Sequence, residues 1–167
     1  KDNLMLFYTG IMRTAETVAS SYLENLVEQR ERLTRMSQFV DEALDIVSGD
    51  RDLRSFGELL HQNWIEKRSL SQLVSNSRVD EIYLAARSAG ALGGKLTGAG
   101  GGGMMLFYVP KEHQIQVRQK LSQLLYIPFD FSDSGSEIIF RDIQARYDEA
   151  LSRPAELGKF IEVDELK

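Results

Sequence analysis

The stretch Gly93–Gly103 constrains this chain more than any other part of the sequence. It has the sequence GGKLTGAGGGG and holds seven of the 13 glycines. Glycine is costly to order, so a cluster this dense predicts positive φ angles or a close approach of the backbone to another group. Successive amides in such a turn can form a nest for an anion such as phosphate. The alternative is a tight connection between a helix and the strand predicted at Met104–Val109.

Two common phosphate-binding motifs do not account for these glycines. Gly98-x-Gly100-x-x-Gly103 matches the dinucleotide fingerprint, but that motif follows a strand and opens a helix. Here a helix is predicted before the stretch and a strand after it. A Walker A loop requires Ser or Thr after Gly-Lys, and Leu96 follows Gly94-Lys95. We therefore exclude both motifs.

Composition limits the classes of protein to consider. The length of 167 residues predicts one domain, 1–167, with a charged peripheral segment at 142–167. A net charge of −5 argues against a nucleic-acid partner, and the lack of cysteine excludes disulfides, thiolate metal sites and cysteine nucleophiles. The two histidines are too far apart for a zinc motif, so we expect no metal site. No membrane-length apolar run or signal peptide is present, so we expect a cytoplasmic protein with no membrane partner.

Hydrophobic periodicity predicts four strands and five or six helices, with the helices grouped between strands. This order indicates an α+β domain with a small, mostly antiparallel sheet and helices packed on one face. The first strand is continuously apolar, which predicts burial on both faces. Because the chain opens on this strand without a methionine, we expect it to be a piece of something longer. The predicted strands are Leu4–Tyr8, Met104–Val109, and a hairpin of Tyr126–Phe131 with Glu137–Arg141. The predicted helices are Thr14–Arg32, Thr34–Val47, Leu53–Leu70, Ser77–Ala89 and Lys111–Leu125, with a short helical pattern after Asp142.

A few polar side chains could take part in a site at the glycines. Lys95 and Thr97 would add a cation and a hydroxyl to the turn. Arg13 is either a solvated loop residue, which we favour, or an anion contact at a helix N-terminus. Arg68 lies four residues after Trp64, so stacking over the indole is expected, and Lys67 on the neighbouring face is expected to be solvated.

The residues supply no complete catalytic set. No Ser-His-Asp or Cys-His arrangement can be assembled around His61 or His113. No pair of carboxylates stands out as a general acid and base. The glycine stretch is thus the one candidate site.

Several segments together resemble the GHMP kinases, the superfamily that includes galactokinase, homoserine kinase, mevalonate kinase and phosphomevalonate kinase. Lys95–Gly103 followed by an apolar strand is similar to the third motif of that superfamily. Other segments resemble sugar kinases of the D-glycero-D-manno-heptose 7-phosphate kinase type, so the resemblance extends from about Leu4 to Arg141. These segments are Leu6–Gly10 with Arg13, His61–Leu70, Asp80–Tyr83 leading into the glycines, and Phe129–Phe140 with Ser134-Gly135-Ser136.

The resemblance implies a C-terminal GHMP kinase domain with a ferredoxin-like fold, which uses ATP and Mg2+. It implies a partner domain, N-terminal to this one in the same enzyme, that carries the main nucleotide loop and the catalytic acidic residue. The nucleotide contacts implied for this chain are Thr97, Gly98, Ala99, Gly100, Gly101, Gly102 and Gly103. Candidate contacts to a sugar phosphate are Arg13, Arg68, Lys95 and, more weakly, Lys67.

These implications predict part of an enzyme that transfers the ATP γ-phosphoryl group to a hydroxyl of a sugar or sugar phosphate. The chain by itself is then expected to be inactive. One alternative is a non-catalytic module of the same fold that binds a ligand or forms a homo-oligomer. Another is a GHMP kinase for a non-sugar alcohol.

Overall fold

A computed structural model describes residues 1–23, 26–132 and 134–139. The chain divides after Phe131 into two units, and the elements described below lie in the first. The predictions of one domain over 1–167 and of a peripheral segment at 142–167 remain predictions, since residues 140–167 lie outside the described part. None of the helices in the described ranges is long and apolar enough to cross a membrane.

The first unit is an α+β structure with four strands and five α-helices, as predicted. The strands are β1 (Leu4–Tyr8), β2 (Gly93–Leu96), β3 (Met104–Tyr108) and β4 (Leu125–Ile127). The helices are α1 (Ala15–Leu23), α2 (Arg30–Ser48), α3 (Arg54–Arg68), α4 (Ser77–Ser88) and α5 (Gln114–Lys120), with a 3-10 turn at Lys111–His113. The strand order is β2-β3-β1-β4, and every neighbouring pair is antiparallel.

The core lies against one face of the two central strands. Met5 and Phe7 on β1 are buried and pair in register with Phe107 and Met105 on β3. The alternate residues Leu4, Leu6 and Tyr8 are only half-buried. The prediction that β1 is buried on both faces is therefore wrong, because helices cover one face and leave the usual two-residue alternation. Buried helix residues that complete this core are Val18, Trp64, Val79, Ile82, Tyr83, Ala86 and Val117.

Helix boundaries depart from the predicted ones where no glycine or proline marks a break. Residues 26–29 form turns inside the region predicted as one helix from Thr14 to Arg32, and α2 begins only at Arg30. On α2 the buried apolar side chains are Phe39 and Ile46, whereas Leu44 and Val47 are exposed. α4 ends as predicted, with Gly90 at φ +106° just beyond it. Its N-cap is Asn76, whose Oδ1 accepts from the amide of Val79 at 3.1 Å.

One of the four strands in the sheet, β2, is not among the strands that the sequence predicted. Gly93–Leu96 forms β2, whereas the predicted hairpin arm Glu137–Arg141 has no strand in its described residues, 137–139. Leu125, predicted to end a helix, instead pairs with Tyr8 as part of β4. Pairing with β1 overrides local helix propensity at this position. Phe140 and Arg141 lie outside the described residues.

Glycines allow α3 to pack directly against the edge strand β2. A side-chain carbon at Gly93 would fall on the carbonyl oxygen of Gly57 and 2.7 Å from the amide nitrogen of His61, both in α3. One at Gly57 would lie 2.8 Å from Cβ of Leu92 and from Cδ1 of Tyr108. The backbones of the helix and the strand therefore meet with no side chain between them.

We predict that Gly93→Ala destabilises the chain by about 3 kcal/mol or more, because the added methyl group meets rigid helix backbone. Urea unfolding followed by circular dichroism measures the change. Gly10→Ala is the matched control. Gly10 has a positive φ of +74° but nothing within 4 Å of an added carbon, so its substitution should cost only about 1 kcal/mol. Equal losses for the two variants would contradict the proposed helix–strand contact.

Candidate functional site

The connection between β2 and β3 is the turn that the sequence singled out. Thr97 and Met104 close it, with the Thr97 amide donating to the Met104 carbonyl at 2.9 Å. Gly98–Gly103, hereafter the glycine loop, links them. Four of its glycines have positive φ: Gly98 (+69°), Gly100 (+117°), Gly101 (+76°) and Gly103 (+83°). The prediction of positive φ is confirmed, and the neighbouring Gly93 and Gly94 provide the predicted close approaches.

The strand before the loop corrects one argument made from the sequence. A helix was predicted directly before the glycine stretch, but β2 lies between α4 and the loop. The dinucleotide motif still does not fit, because the loop leads into strand β3 and not into a helix. The glycine loop is therefore the tip of an antiparallel hairpin.

One half of the glycine loop is clamped by the rest of the chain. Gly101 donates its amide to the Val74 carbonyl, and Gly103 donates to the Ile11 carbonyl, each at 2.8 Å. A side chain at Gly100 would lie 2.9 Å from the Val74 oxygen, and one at Gly102 would lie 2.5 Å from the Ile11 oxygen. Both partner segments are connections, one between β1 and α1 and the other between α3 and α4. Larger residues would push these connections away from the loop.

Two side chains that the sequence analysis missed complete this clamp. Asn76 donates its Nδ2 to the Gly101 carbonyl at 2.9 Å, in addition to capping α4. Thr9, which is buried, donates both its amide and its hydroxyl to the Gly103 carbonyl, each at 2.9 Å. Asn76 could have been found as a strong N-cap residue before an amphipathic helix. Nothing local in the sequence distinguishes Thr9.

The other half of the glycine loop has free donors. Thr97 and Gly98 are exposed, and Ala99 and Gly100 are half-buried. Within the described residues, the amides of Gly98, Ala99 and Gly100 have no hydrogen-bond acceptor. Positive φ at Gly98 and Gly100 flanks Ala99, which is not at positive φ. Alternation of this kind along a turn favours convergent amides and a concave anion site. The Thr97 hydroxyl is used internally, since it donates to the Met104 carbonyl at 3.2 Å.

Lys67 contradicts the prediction that it is solvated. It is only 9% exposed, and its Nζ donates to the carbonyls of Leu96, at 3.1 Å, and Gly98. Burial, with a smaller effect from the charge of Lys95, lowers the pKa of Lys67 to about 8. Lys67 follows Trp64 by three residues and Leu60 by seven, so helical spacing could have placed it on the inward face. Because its ammonium already donates to backbone carbonyls, we do not assign Lys67 as a contact to a sugar phosphate.

Of the next two cationic candidates, Arg13 lies beside the glycine loop, whereas Lys95 contacts α3. Arg13 is exposed, and its Cγ lies 3.5 Å from where a side chain on Gly101 would begin. The structure thus brings Arg13 to the glycine loop. Lys95, on β2, donates to Asn63 Oδ1 at 3.2 Å, and burial lowers its pKa. Lys95 therefore faces α3.

Arg68 does not stack on the indole of Trp64 as expected. It pairs with Asp80 at 3.3 Å, and Asp80 also accepts from the Ser75 hydroxyl at 2.8 Å. The Trp64 side chain is fully buried, and its Nε1 has no hydrogen-bond partner in the described structure. A carboxylate partner competes with a phosphate for the guanidinium of Arg68, so this residue is a weaker anion contact than Arg13.

The described residues contain no cluster of three or more His, Asp or Glu side chains that could hold a metal ion. A general base that faces the glycine loop is likewise not among the described contacts of that loop. This part of the chain can therefore bind and polarise an anion through amides and cations.

Comparison with known proteins identifies relatives that share this region. The family model described as GHMP kinases C terminal matches residues 39–127, which is more than half of the chain. The D-glycero-alpha-D-manno-heptose 7-phosphate kinase of Campylobacter jejuni is 27% identical over 78% of this chain and 40% of its own length. The mevalonate kinase of Pyrococcus horikoshii is 34% identical over 64% of this chain and 34% of its own length. The chain thus spans well under half the length of either relative.

A solved structure shows the same fold. The Methanococcus jannaschii mevalonate kinase superimposes with a TM-score of 0.64 over 74% of this chain and 38% of that one. The sequence identity is 23%, so the similarity concerns the fold alone.

We predict that the two halves of the glycine loop differ in their tolerance of substitution. Gly98→Ala places a methyl group in open space, so only the left-handed φ should cost stability, by about 1 kcal/mol. Gly102→Ala, in the clamped half, adds contacts of 2.5 Å and 2.8 Å with Ile11, and this overpacking should cost about 3 kcal/mol. Thermal and urea unfolding of both variants test this order. A more damaging Gly98→Ala would show that the exposed half is the clamped one.

We also predict that Lys67 makes stability depend on pH. The unfolded lysine keeps its proton up to a pKa near 10.5, whereas the folded one releases it from about pH 8. The unfolded state therefore binds more protons between those values, and the free energy of unfolding should rise with pH across this window. Urea unfolding of the wild type and Lys67→Met, measured from pH 7 to 10.5, isolates the effect. A constant difference between the two proteins at every pH would contradict the lowered pKa.

Proposed function

The chain belongs to the GHMP kinase C-terminal family, and on that premise we propose that it forms one wall of the active site of an ATP-dependent kinase for a sugar or sugar phosphate. The observation that carries the proposal is the run of free amides at Gly98, Ala99 and Gly100 on the exposed half of the glycine loop. In this role the loop receives phosphate oxygens of ATP. A second domain, outside this chain, supplies the opposite wall.

Phosphoryl transfer suits a site of this kind. Catalysis of this reaction depends mainly on positioning and on stabilising the charge of the transferred group. Amides held in place before the nucleotide binds provide that stabilisation without reorganising during the reaction. The clamp on Gly101 and Gly103 supports the proposal, because it fixes one half of the loop and thereby limits the movement of the adjacent half, which carries the free donors.

Magnesium, implied by the family resemblance, has no fitting ligand set in the described part of the chain. Its protein ligands in the proposed enzyme would belong to the other domain. The same holds for the acidic residue that receives or orients the proton of the acceptor hydroxyl. This chain's own part in the reaction is thus to bind phosphate oxygens and to limit the access of water on one side.

The position of Arg13 supports an anionic acceptor. Its stem lies beside Gly101 and its guanidinium is exposed, so it could contact an anion bound next to the glycine loop. A planar guanidinium binds phosphate and carboxylate through two parallel hydrogen bonds. Both a sugar phosphate and mevalonate carry such a group. The 34% identity with a mevalonate kinase therefore favours mevalonate as the second candidate acceptor.

We expect the product of the complete gene to transfer phosphoryl from ATP to one of these acceptors, and this chain alone to transfer none. The assay measures ADP release with D-glycero-D-manno-heptose 7-phosphate, with unphosphorylated sugars and with mevalonate. Turnover with a sugar or sugar phosphate supports the first candidate, whereas turnover with mevalonate alone supports the second. A folded complete product that transfers phosphoryl to none of them, or activity of this chain alone above the buffer blank, would overturn the proposal.

A further inference from the structure

Lys67 carries its ammonium in a buried position, where a cation requires compensating interactions. A buried ammonium is costly unless hydrogen bonds and charges compensate for the lost water. No carboxylate lies within ion-pair distance of Lys67 in the described ranges, and the charged side chain that affects it is Lys95, of the same sign. Its described partners are the carbonyls of Leu96 and Gly98. Those two carbonyls belong to the end of β2 and the start of the glycine loop.

Because of peptide geometry, these two contacts also fix the orientation of the amides that follow the two carbonyls. The carbonyl of one residue and the amide of the next share a rigid, planar unit and point in opposite directions. The Leu96 carbonyl is thus fixed together with the Thr97 amide, which donates across the hairpin to Met104 at 2.9 Å. The Gly98 carbonyl is fixed together with the Ala99 amide, which has no acceptor among the described residues. By holding the two carbonyls, Lys67 therefore also sets the direction in which the Thr97 and Ala99 amides point.

We propose that Lys67 is a positioning residue that aims the Ala99 amide out of the glycine loop toward a bound phosphate. The ammonium holds the Gly98 carbonyl on the inner side, so the Ala99 amide points away from α3. A cation at the carbonyl end of a peptide unit also polarises it and makes its N–H a stronger donor. The proposal rests on the proposed function for the identity of the anion, but the orientation of the peptide does not depend on it.

The neighbouring lysine provides a matched control. Lys95 is half-buried, and burial lowers its pKa as it does for Lys67, but its described hydrogen bond is to the Asn63 side chain and not to the loop. Lys95→Met therefore removes a similar charge close to Lys67 without removing a carbonyl contact. Lys67→Arg keeps a cation with several donors, whereas Lys67→Met keeps only the length of the stem.

The first experiment uses this chain and no nucleotide. NMR follows the carbonyl carbons of Leu96 and Gly98 and the amides of Thr97 and Ala99 from pH 6.5 to 10. We expect all four to titrate together with the Lys67 ammonium, and the titration of Ala99 to disappear in Lys67→Met but to persist in Lys95→Met. An Ala99 amide that does not change while Lys67 titrates would overturn the proposal. The wild-type titration decides this even if Lys67→Met does not fold.

The second experiment uses the product of the complete gene. We expect Lys67→Met to lower kcat/KM for ATP about tenfold or more, the usual effect of losing a charge-assisted hydrogen bond, with the KM for the acceptor unchanged. Lys67→Arg should restore much of the loss, and Lys95→Met should lower kcat/KM for ATP far less than Lys67→Met does. Equal losses for ATP and acceptor, or no rescue by arginine, would reduce Lys67 to a general structural role. Failure of the proposed function would appear separately, as a wild-type protein without kinase activity but with the NMR titration intact.

Discussion

Direct contact between backbones, made possible by glycine, is the constraint on which the other features of this structure depend. At Gly57 and Gly93 it brings the start of α3 onto the edge strand β2. Because α3 then runs along that strand, Lys67 near its C-terminal end reaches the carbonyl of Leu96, at the end of the same strand. The N-terminal part of α3 thus packs directly on β2 because glycines leave no side chain between the two backbones. Its C-terminal end is held to the same strand by the hydrogen bond from the Lys67 ammonium. A wider separation at Gly93 would withdraw Lys67 from the glycine loop.

The glycine loop combines two requirements that usually conflict. An anion site made of amides must be rigid, since the cost of ordering it would otherwise weaken binding, yet its donors must stay unpaired. Here the hydrogen bonds that provide rigidity involve Gly101 and Gly103, and the free donors are on Gly98, Ala99 and Gly100. The division follows the burial of the loop, because Gly101 and Gly102 are buried and Gly98 is exposed. Separate parts of one short turn therefore meet the two requirements.

The sequence predicts the class of fold and the position of the glycine-rich turn better than the details of either. Strands such as β1 and β3 are apolar runs, and α4 has both a strong cap residue and a terminal glycine, so local signals suffice for them. β2 was missed because GGKL has almost no β propensity and forms a strand only where α3 and β3 meet it. Lys67 and Arg68 were misplaced for a related reason. Their surroundings consist of Leu96, Gly98 and Asp80, which are distant in sequence, and a lysine on a helix is exposed by default.

The placement of the cations indicates how this surface would act on a phosphate. Lys67 and Lys95 are engaged with oxygen atoms of the protein, and Arg68 is paired with Asp80. Among these candidates, only Arg13 has an exposed guanidinium beside the glycine loop with no ion pair in the described part of the chain. Positive potential therefore reaches the loop surface mainly through oriented peptide dipoles, which Lys67 reinforces from behind. A dipole fixed in this way stabilises charge at one position and direction, whereas a mobile ammonium would follow the anion wherever it moved. This difference favours a surface that positions a phosphoryl group over one that only attracts anions.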